Sequence, residues 1–469
     1  MDPIKIDTGY IAGTIIGEPG KEIRIYRGVP YAAPPLGNLR WAPPRPAASW
    51  PGIRECTVFC CQAAQGLSML GPLVPVKTSE DCLYLNILTP AKDITDRLPV
   101  MVWMHGGAFE FGNGNDPLVN GFRLPQKGTV LVNVNMRLGA IGLLAHPLLS
   151  KESPKGVSGN YMFLDMMAAL EWVKRNIEAF GGDAHNVTIF GESGGGAKVA
   201  DLVASPLTKG LFHKAVCESG AAFPPFAPGR SLKEMEGLGV KLFEKLGVNR
   251  ETDPLAAARS MTWNKVVEAG KAFVADSAMG LGPWDAAVDG WFLPDIPATI
   301  FHEARQTPVP MIVGANLGEL AGPGMIRMPH IIPTYVQMLH AADKAGVKNR
   351  YAFIFDQIPS GWKNQGCVST HAMELPYVFG DYDNTTGWWP GLFRLTRRSG
   401  AKTPDPGVTE SDRIVSELMM KMWVRFAKTG DPNIEGAMEW PAYEGDSDKY
   451  LYIKDPLEVK SGFSKVCQE

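Results

Sequence analysis

The chain has 469 residues, with 46 Lys and Arg against 49 Asp and Glu, giving a formal net charge of −3. A reader of nucleic-acid phosphates needs a basic stripe, which this balance does not offer. At 45% hydrophobic and 20% charged residues, the composition is that of a chain with a large buried core, not of a disordered, collagen-like or disulfide-built one.

The first residues, Met1 to Asp7, contain an acid and a proline but no apolar stretch that could form the core of a secretory signal. This leaves the compartment open between the cytoplasm and a secreted form whose leader has been removed. The seven cysteines (56, 60, 61, 82, 217, 367 and 467) are odd in number and widely spread, so no disulfide framework or four-ligand zinc spacing emerges. From Val100 to Met104 an uninterrupted apolar run predicts a strand buried on both faces, and His105-Gly106-Gly107-Ala108-Phe109 follows it directly. A second such run spans Val130 to Val134. The wider stretch to Leu149 is broken by Asn133, Asn135, Arg137 and His146, so it lacks the roughly 18 apolar residues of a membrane span. Phe163, Met166, Met167, Leu170, Val173 and Ile177 recur at helical spacing.

Val187 to Phe190 predicts a further strand, which runs straight into Gly191-Glu192-Ser193-Gly194-Gly195, and helical spacing resumes at Ala197, Ala200 and Val203. A G-x-S-x-G pattern alone is weak. Between a strand and a helix it describes a nucleophile elbow, where glycines permit a turn too sharp for side chains and the serine hydroxyl stands exposed. Ala215–Cys217, Val309–Val313 and Tyr351–Phe355 add strands, and Ile414, Leu418, Met422 and Phe426 add a helix. Strands alternating with helices imply an α/β protein with a mostly parallel sheet covered on both faces, its active groups at the carboxyl ends of the strands.

A serine hydroxyl needs a base, and the base needs an orienting acid. In enzymes with this elbow the chain order is serine, acid, histidine, which excludes His105, His146 and His185. His213 follows too closely, and His302, His330 and His340 lie within or between amphipathic segments, which leaves His371 in the loop Ser369 to Ala372. Glu319, just beyond Val309–Val313, is the favoured acid. Asp285, Asp289 and Asp295 precede that strand and are read as turn formers. The small residues after Val100–Met104 let backbone N–H groups approach a developing oxyanion, and no Lys-Ser/Thr follows them as in a phosphate-binding loop.

These residues resemble the type-B carboxylesterase family, which includes cholinesterases and bacterial para-nitrobenzyl esterases. The resemblance runs nearly end to end. It rests on Arg27 to Ala32, Glu80 to Asn86, Gly159-Asn160 with Asp165, Phe180 to Asp183, Gly191 to Gly195, Val288-Asp289-Gly290, His371 with Glu374 to Tyr377, and Phe426 to Asn433. It implies one α/β-hydrolase domain over 1–469, with insertions covering the active site. It makes Ser193 the nucleophile, Glu319 the acid, His371 the base, and the amides of Gly107, Ala108 and Gly194 the oxyanion hole. Glu192, Phe223 and Phe226 are candidates for binding substrate. Arg40 and Glu80 would form a buried structural ion pair, and Cys61 and Cys82 would be a disulfide or a reduced pair. The implied substrate is a small-molecule ester, with no metal or organic cofactor.

Three departures qualify this. Position 194 is Gly where the family usually has Ala, and catalysis should survive the change. No Phe, Trp or Tyr stands between Cys61 and Cys82, so the aromatic face that receives choline in cholinesterases is missing. Glu319 and His371 are 52 positions apart, a short interval for the family, which suggests a wider entrance able to take a bulky acyl or alcohol group. The Gly106-Gly107-Ala108 loop likewise resembles esterases that accept tertiary-alcohol esters. Amides and carbamates are alternative substrates for the same triad. A non-catalytic binding protein of this fold is the remaining alternative, against which the intact triad argues.

Overall fold

The computed structural model describes residues 2–17, 19–66, 77–222, 229–271, 273, 283–321, 326–384, 387–396 and 403–466. Its centre is an 11-stranded sheet. In chain order the strands are β1 (Thr14–Ile16), β2 (Ile23–Pro30), β3 (Tyr84–Thr89), β4 (Leu98–Met104), β5 (Val130–Val134), β6 (Gly182–Glu192), β7 (Lys214–Glu218), β8 (Met311–Asn316), β9 (Arg350–Phe355), β10 (Lys449–Ile453) and β11 (Glu458–Ser461). They lie in the order β11-β10-β9-β8-β7-β6-β4-β5-β3-β2-β1. The stretch from β5 to β10 is parallel throughout, and the strands outside it pair antiparallel. A mostly parallel sheet of this kind is the expected architecture.

Side chains alternate across a strand, so the sheet divides its apolar residues between two cores. Val100, Val102, Met104, Val187, Ile189, Ala215 and Val313 belong to one core, together with helices α1 (Tyr161–Asn176), α2 (Gly194–Ala204) and α3 (Ile331–Lys344). Met101, Trp103, Phe190, Val216, Ile312 and Phe353 face the other, which α4 (Glu410–Thr429) covers. Each fully buried Val, Ile or Phe contributes about 1.5–3 kcal/mol, so both faces need their helices. A capping box starts α4, Thr409 and Asp412 each bonding the other's backbone N–H, and Gly430 at φ 81° ends it. The helix carries Trp423 under the middle of the sheet, where its Nε1 donates to Glu218 Oε1 at 2.9 Å.

The eighth strand begins at Met311, not at Val309. Pro310 has no N–H for the ladder, although its carbonyl accepts from Ala215 N at 3.0 Å. Two buried ion pairs join distant segments. Arg40 Nε meets Glu80 Oε1 at 2.6 Å, as the family resemblance implies, and Arg137 grips both oxygens of Asp165 at 2.8 and 2.6 Å. Cys61 and Cys82 are both free thiols. Among the described residues no helix is long and apolar enough to cross a membrane.

Candidate active site

Strand β6 delivers Ser193 to the sheet's upper edge. Ser193 caps α2 with φ 58° and ψ −126°, a conformation that costs a non-glycine residue about 1–3 kcal/mol. The surroundings enforce it: Ser193 N donates to Glu218 O at 2.8 Å, and its carbonyl accepts from Ala197 N at 3.1 Å. The elbow also presses against β4. A Cβ on Gly195 would lie 2.0 Å from Met104 O, so only glycine fits there.

His371 comes from the loop beyond β9, and Glu319 from the helical turn Leu317–Leu320 that follows β8. The His371 Nδ1–H donates to Glu319 Oε2 at 2.7 Å, which leaves Nε2 directed away from the acid. Glu319 is fully buried, and its other oxygen accepts from Asn316 N at 2.7 Å, Asn316 Nδ2 at 3.0 Å and the Ser219 hydroxyl. Burial opposes its ionisation, but the His371 charge and these hydrogen bonds together hold the carboxyl below its ordinary range.

On its other side, His371 Nε2 lies 3.2 Å from Glu192 Oε1. A methyl placed on Gly106 would be 3.3 Å from Glu192 Oε2 and 3.5 Å from Ser193 Cβ. The start of the Gly-rich loop, the serine, Glu192 and the histidine therefore share one small space. Burial pushes the Glu192 carboxyl up and is opposed by His371. Burial also works against a charged His371, but Glu192 and Glu319 outweigh it and raise the imidazole. With the proton on Glu192 instead, Nε2 is free to act as a base. Glu374, pushed up to about 7 by burial and the nearby Glu319, accepts from Asn316 Nδ2 at 2.6 Å.

The loop after β4 turns through three successive left-handed residues: Gly107 at φ 96°, Ala108 at 50° and Phe109 at 65°. The carbonyl of Gly107 accepts from Glu110 N and Phe111 N at 2.9 and 3.0 Å. The loop lies so close to the start of α2 that a Cβ on Gly194 would come within 2.6 Å of Ala108 N. Glycine at 194 therefore accompanies a tight approach of the loop to the helix, which adds a structural reason for this departure from the family's usual alanine.

The structure thus brings Ser193, Glu192, Glu319 and His371 together, with Gly107, Ala108 and Gly194 beside them. Phe223 and Phe226 lie outside the described residues. Asp285, Asp289 and Asp295 accept backbone N–H groups of the residues just after them, as turn formers do. Sequence reasoning missed Ser219 and Asn316 as donors to the Glu319 carboxylate, and it gave no sign that Glu192 faces the histidine. Ser219, next to Glu218 at the end of β7, carried only the weak signal of a polar residue at a strand terminus.

The family model described as "Carboxylesterase family" matches residues 2–332 and 322–468. The chain belongs to the carboxylesterase family. As a carboxylesterase it is a carboxylic-ester hydrolase with an α/β-hydrolase fold. It is 31% identical to a fumonisin B1 esterase of Sphingopyxis macrogoltabida over 92% of this chain and 84% of that protein. It is 30% identical to a para-nitrobenzyl esterase of Bacillus subtilis (strain 168), over 96% and 95% respectively. A solved structure of PNB esterase superposes with a TM-score of 0.76 at 27% identity, covering 98% of this chain and 96% of that one.

Proposed function

We propose that this carboxylesterase works through an acyl-enzyme with Ser193 as nucleophile, His371 as base and Glu319 as acid, in one domain spanning 1–469. The observation that carries the reading is the 2.7 Å bond from His371 Nδ1 to the buried Glu319 carboxylate, beside a serine held in the elbow conformation. Ser193 Oγ bonds to the ester carbon while its proton passes to His371 Nε2, and the carbonyl π pair moves onto oxygen. The amides of Gly107, Ala108 and Gly194 receive that oxyanion. The C–O bond to the alcohol then breaks, the leaving oxygen takes the proton from Nε2, and water repeats the sequence to free the acid. Glu319 keeps the imidazole in the required tautomer and steadies its charge without itself becoming protonated.

The test is labelling with a neutral organophosphate, mapped by mass spectrometry, together with the para-nitrophenolate burst from para-nitrophenyl acetate. A single label on Ser193, a burst equal to the enzyme concentration, and loss of both in Ser193→Ala are expected. A label elsewhere, or turnover by Ser193→Ala, would overturn the assignment.

The preferred substrate is an uncharged ester with a bulky acyl or alcohol group. Supporting this, the two stretches matched by the family model meet at 322–332, inside the short interval between Glu319 and His371. The chain's net charge of −3 gives little steering toward or away from an ion. Hydrolysis of tert-butyl acetate alongside n-butyl acetate is expected, and cleavage of the n-butyl ester alone would refute the wide entrance.

A further inference from the structure

Five residues after Ser193, α2 carries a lysine that the mechanism above does not use. Lys198 is completely buried. Its Nζ donates to the carbonyl of His105 at 2.7 Å and stands 5.8 Å from the centre of the Phe109 ring. His105 and Phe109 are the two ends of the loop that contains Gly106, Gly107 and Ala108, so one amine touches both of its anchors. The His105 ring itself meets the next carbonyl, its Nδ1 lying 2.8 Å from Gly106 O, and burial first and the Lys198 charge second press the imidazole well below its ordinary range.

Lys198 also differs from the buried arginines. The buried guanidiniums of Arg40 and Arg137 each meet a carboxylate, whereas among the described residues no ion pair joins Lys198 to one. Burial pulls its amine down to about 7. A cation kept in the interior by one carbonyl and one ring face is poorly compensated for its lost hydration, so an apolar residue would serve packing alone better. The position of the lysine offers a use for it. Its helix holds the serine, its hydrogen bond holds the start of the oxyanion loop, and a donor on the His105 carbonyl polarises the peptide that leads into the loop.

We propose that Lys198 is a positioning residue for the oxyanion loop, tying the His105 carbonyl and the Phe109 ring to the serine-bearing helix so that the Gly107 and Ala108 amides meet the tetrahedral intermediate. This rests on the Ser193 and oxyanion-hole reading above. The consequence is a defect confined to the charged intermediate. Ground-state binding of ester should hardly notice the lysine, while every species with a negative oxygen on the former carbonyl carbon should.

The experiment compares wild type, Lys198→Met and Lys198→Gln on para-nitrophenyl butyrate and on an aryl trifluoromethyl ketone. The ketone adds Ser193 Oγ to form a tetrahedral adduct of the same charge. For Lys198→Met, kcat is expected to fall about 10- to 100-fold, somewhat less than for outright loss of one oxyanion donor. KM should change less than threefold, and ketone affinity should fall in parallel with kcat/KM. Lys198→Gln keeps a donor without charge and is expected to fall between the two. It also carries the test by itself if Lys198→Met does not fold. A variant within threefold of wild type in kcat/KM overturns the proposal, as does a loss of kcat with ketone affinity intact. Ser193→Ala run in parallel separates the layers: full turnover by that variant would overturn the nucleophile reading itself, independently of the lysine.

Discussion

Replacing Glu319 by glutamine tests the acid without changing its shape. Its two oxygens have unlike partners: Oε2 takes the His371 Nδ1–H, while Oε1 takes the Asn316 backbone N–H, the Asn316 side-chain N–H and the Ser219 hydroxyl. A glutamine must point its only acceptor at one side. Turning the NH2 toward Asn316 would set donors against a backbone N–H that cannot reverse and a side-chain N–H that Glu374 also holds, in a fully buried site, at about 1–3 kcal/mol for each unsatisfied group. The amide oxygen therefore stays with Asn316, and the NH2 faces His371. The imidazole must then accept at Nδ1 and carry its proton on Nε2, the nitrogen that should receive the serine proton. An analogous wrong-tautomer substitution in the serine protease template costs about 10⁴ in kcat. For Glu319→Gln we expect a loss of roughly 10³ to 10⁴, about 4–5 kcal/mol of activation energy, with KM unchanged. The assay is the pre-steady-state burst rate on para-nitrophenyl acetate, with near-UV circular dichroism to show native packing. A folded Glu319→Gln enzyme within tenfold of the wild-type acylation rate would refute the tautomer argument.

Other expectations follow from the same geometry. Glu192 raises the His371 imidazole, and catalysis needs that ring neutral. In Glu192→Gln the ring therefore loses its proton more readily, and the acid limb of the kcat/KM profile should move to lower pH; an unmoved or higher limb contradicts the 3.2 Å contact. Gly194→Ala introduces a methyl 2.6 Å from Ala108 N, pushing the oxyanion loop outward, so kcat should fall at least severalfold although the family commonly has alanine there. Arg137→Met leaves Asp165 buried without its cation, with an expected loss of about 3–5 kcal/mol in urea unfolding; a loss under 1 kcal/mol would show the pair to be dispensable.

The parallel strands at the centre of the sheet could be read almost directly, because burial on both faces leaves an unbroken apolar run. Val130–Val134 matches β5 residue for residue, and Tyr351–Phe355 misses only the first position of β9. The antiparallel strands escaped that criterion. In β2 the charged residues Arg24 and Arg27 interrupt the run Ile23-Arg24-Ile25-Tyr26-Arg27, so it lacks the continuity that identified the others. The site divides similarly. Local turn chemistry marks Ser193 as the candidate nucleophile, and the order in which such groups occur along the chain marks Glu319 and His371 as its candidate partners. The parts that could not be read arise from packing at long range. Ser219 meets Glu319 across 100 positions, and Lys198 meets His105 across 93. No local pattern encodes such meetings.

Five neighbouring strands, β9, β8, β7, β6 and β4, end at the same edge of the sheet. Beyond those ends stand His371, Glu319, Ser219, Ser193 and the Gly-rich loop. The chemistry is thereby anchored to backbone register, while whatever covers it hangs on connections that the register does not constrain. On the reading proposed above, a longer counterpart of the interval between Glu319 and His371 is expected to alter which esters enter without altering how they are cut. Selectivity and reactivity are then separable, and insertions or deletions in the connections would be expected to change substrate range while Ser193, Glu319 and His371 keep their places beyond the strand ends.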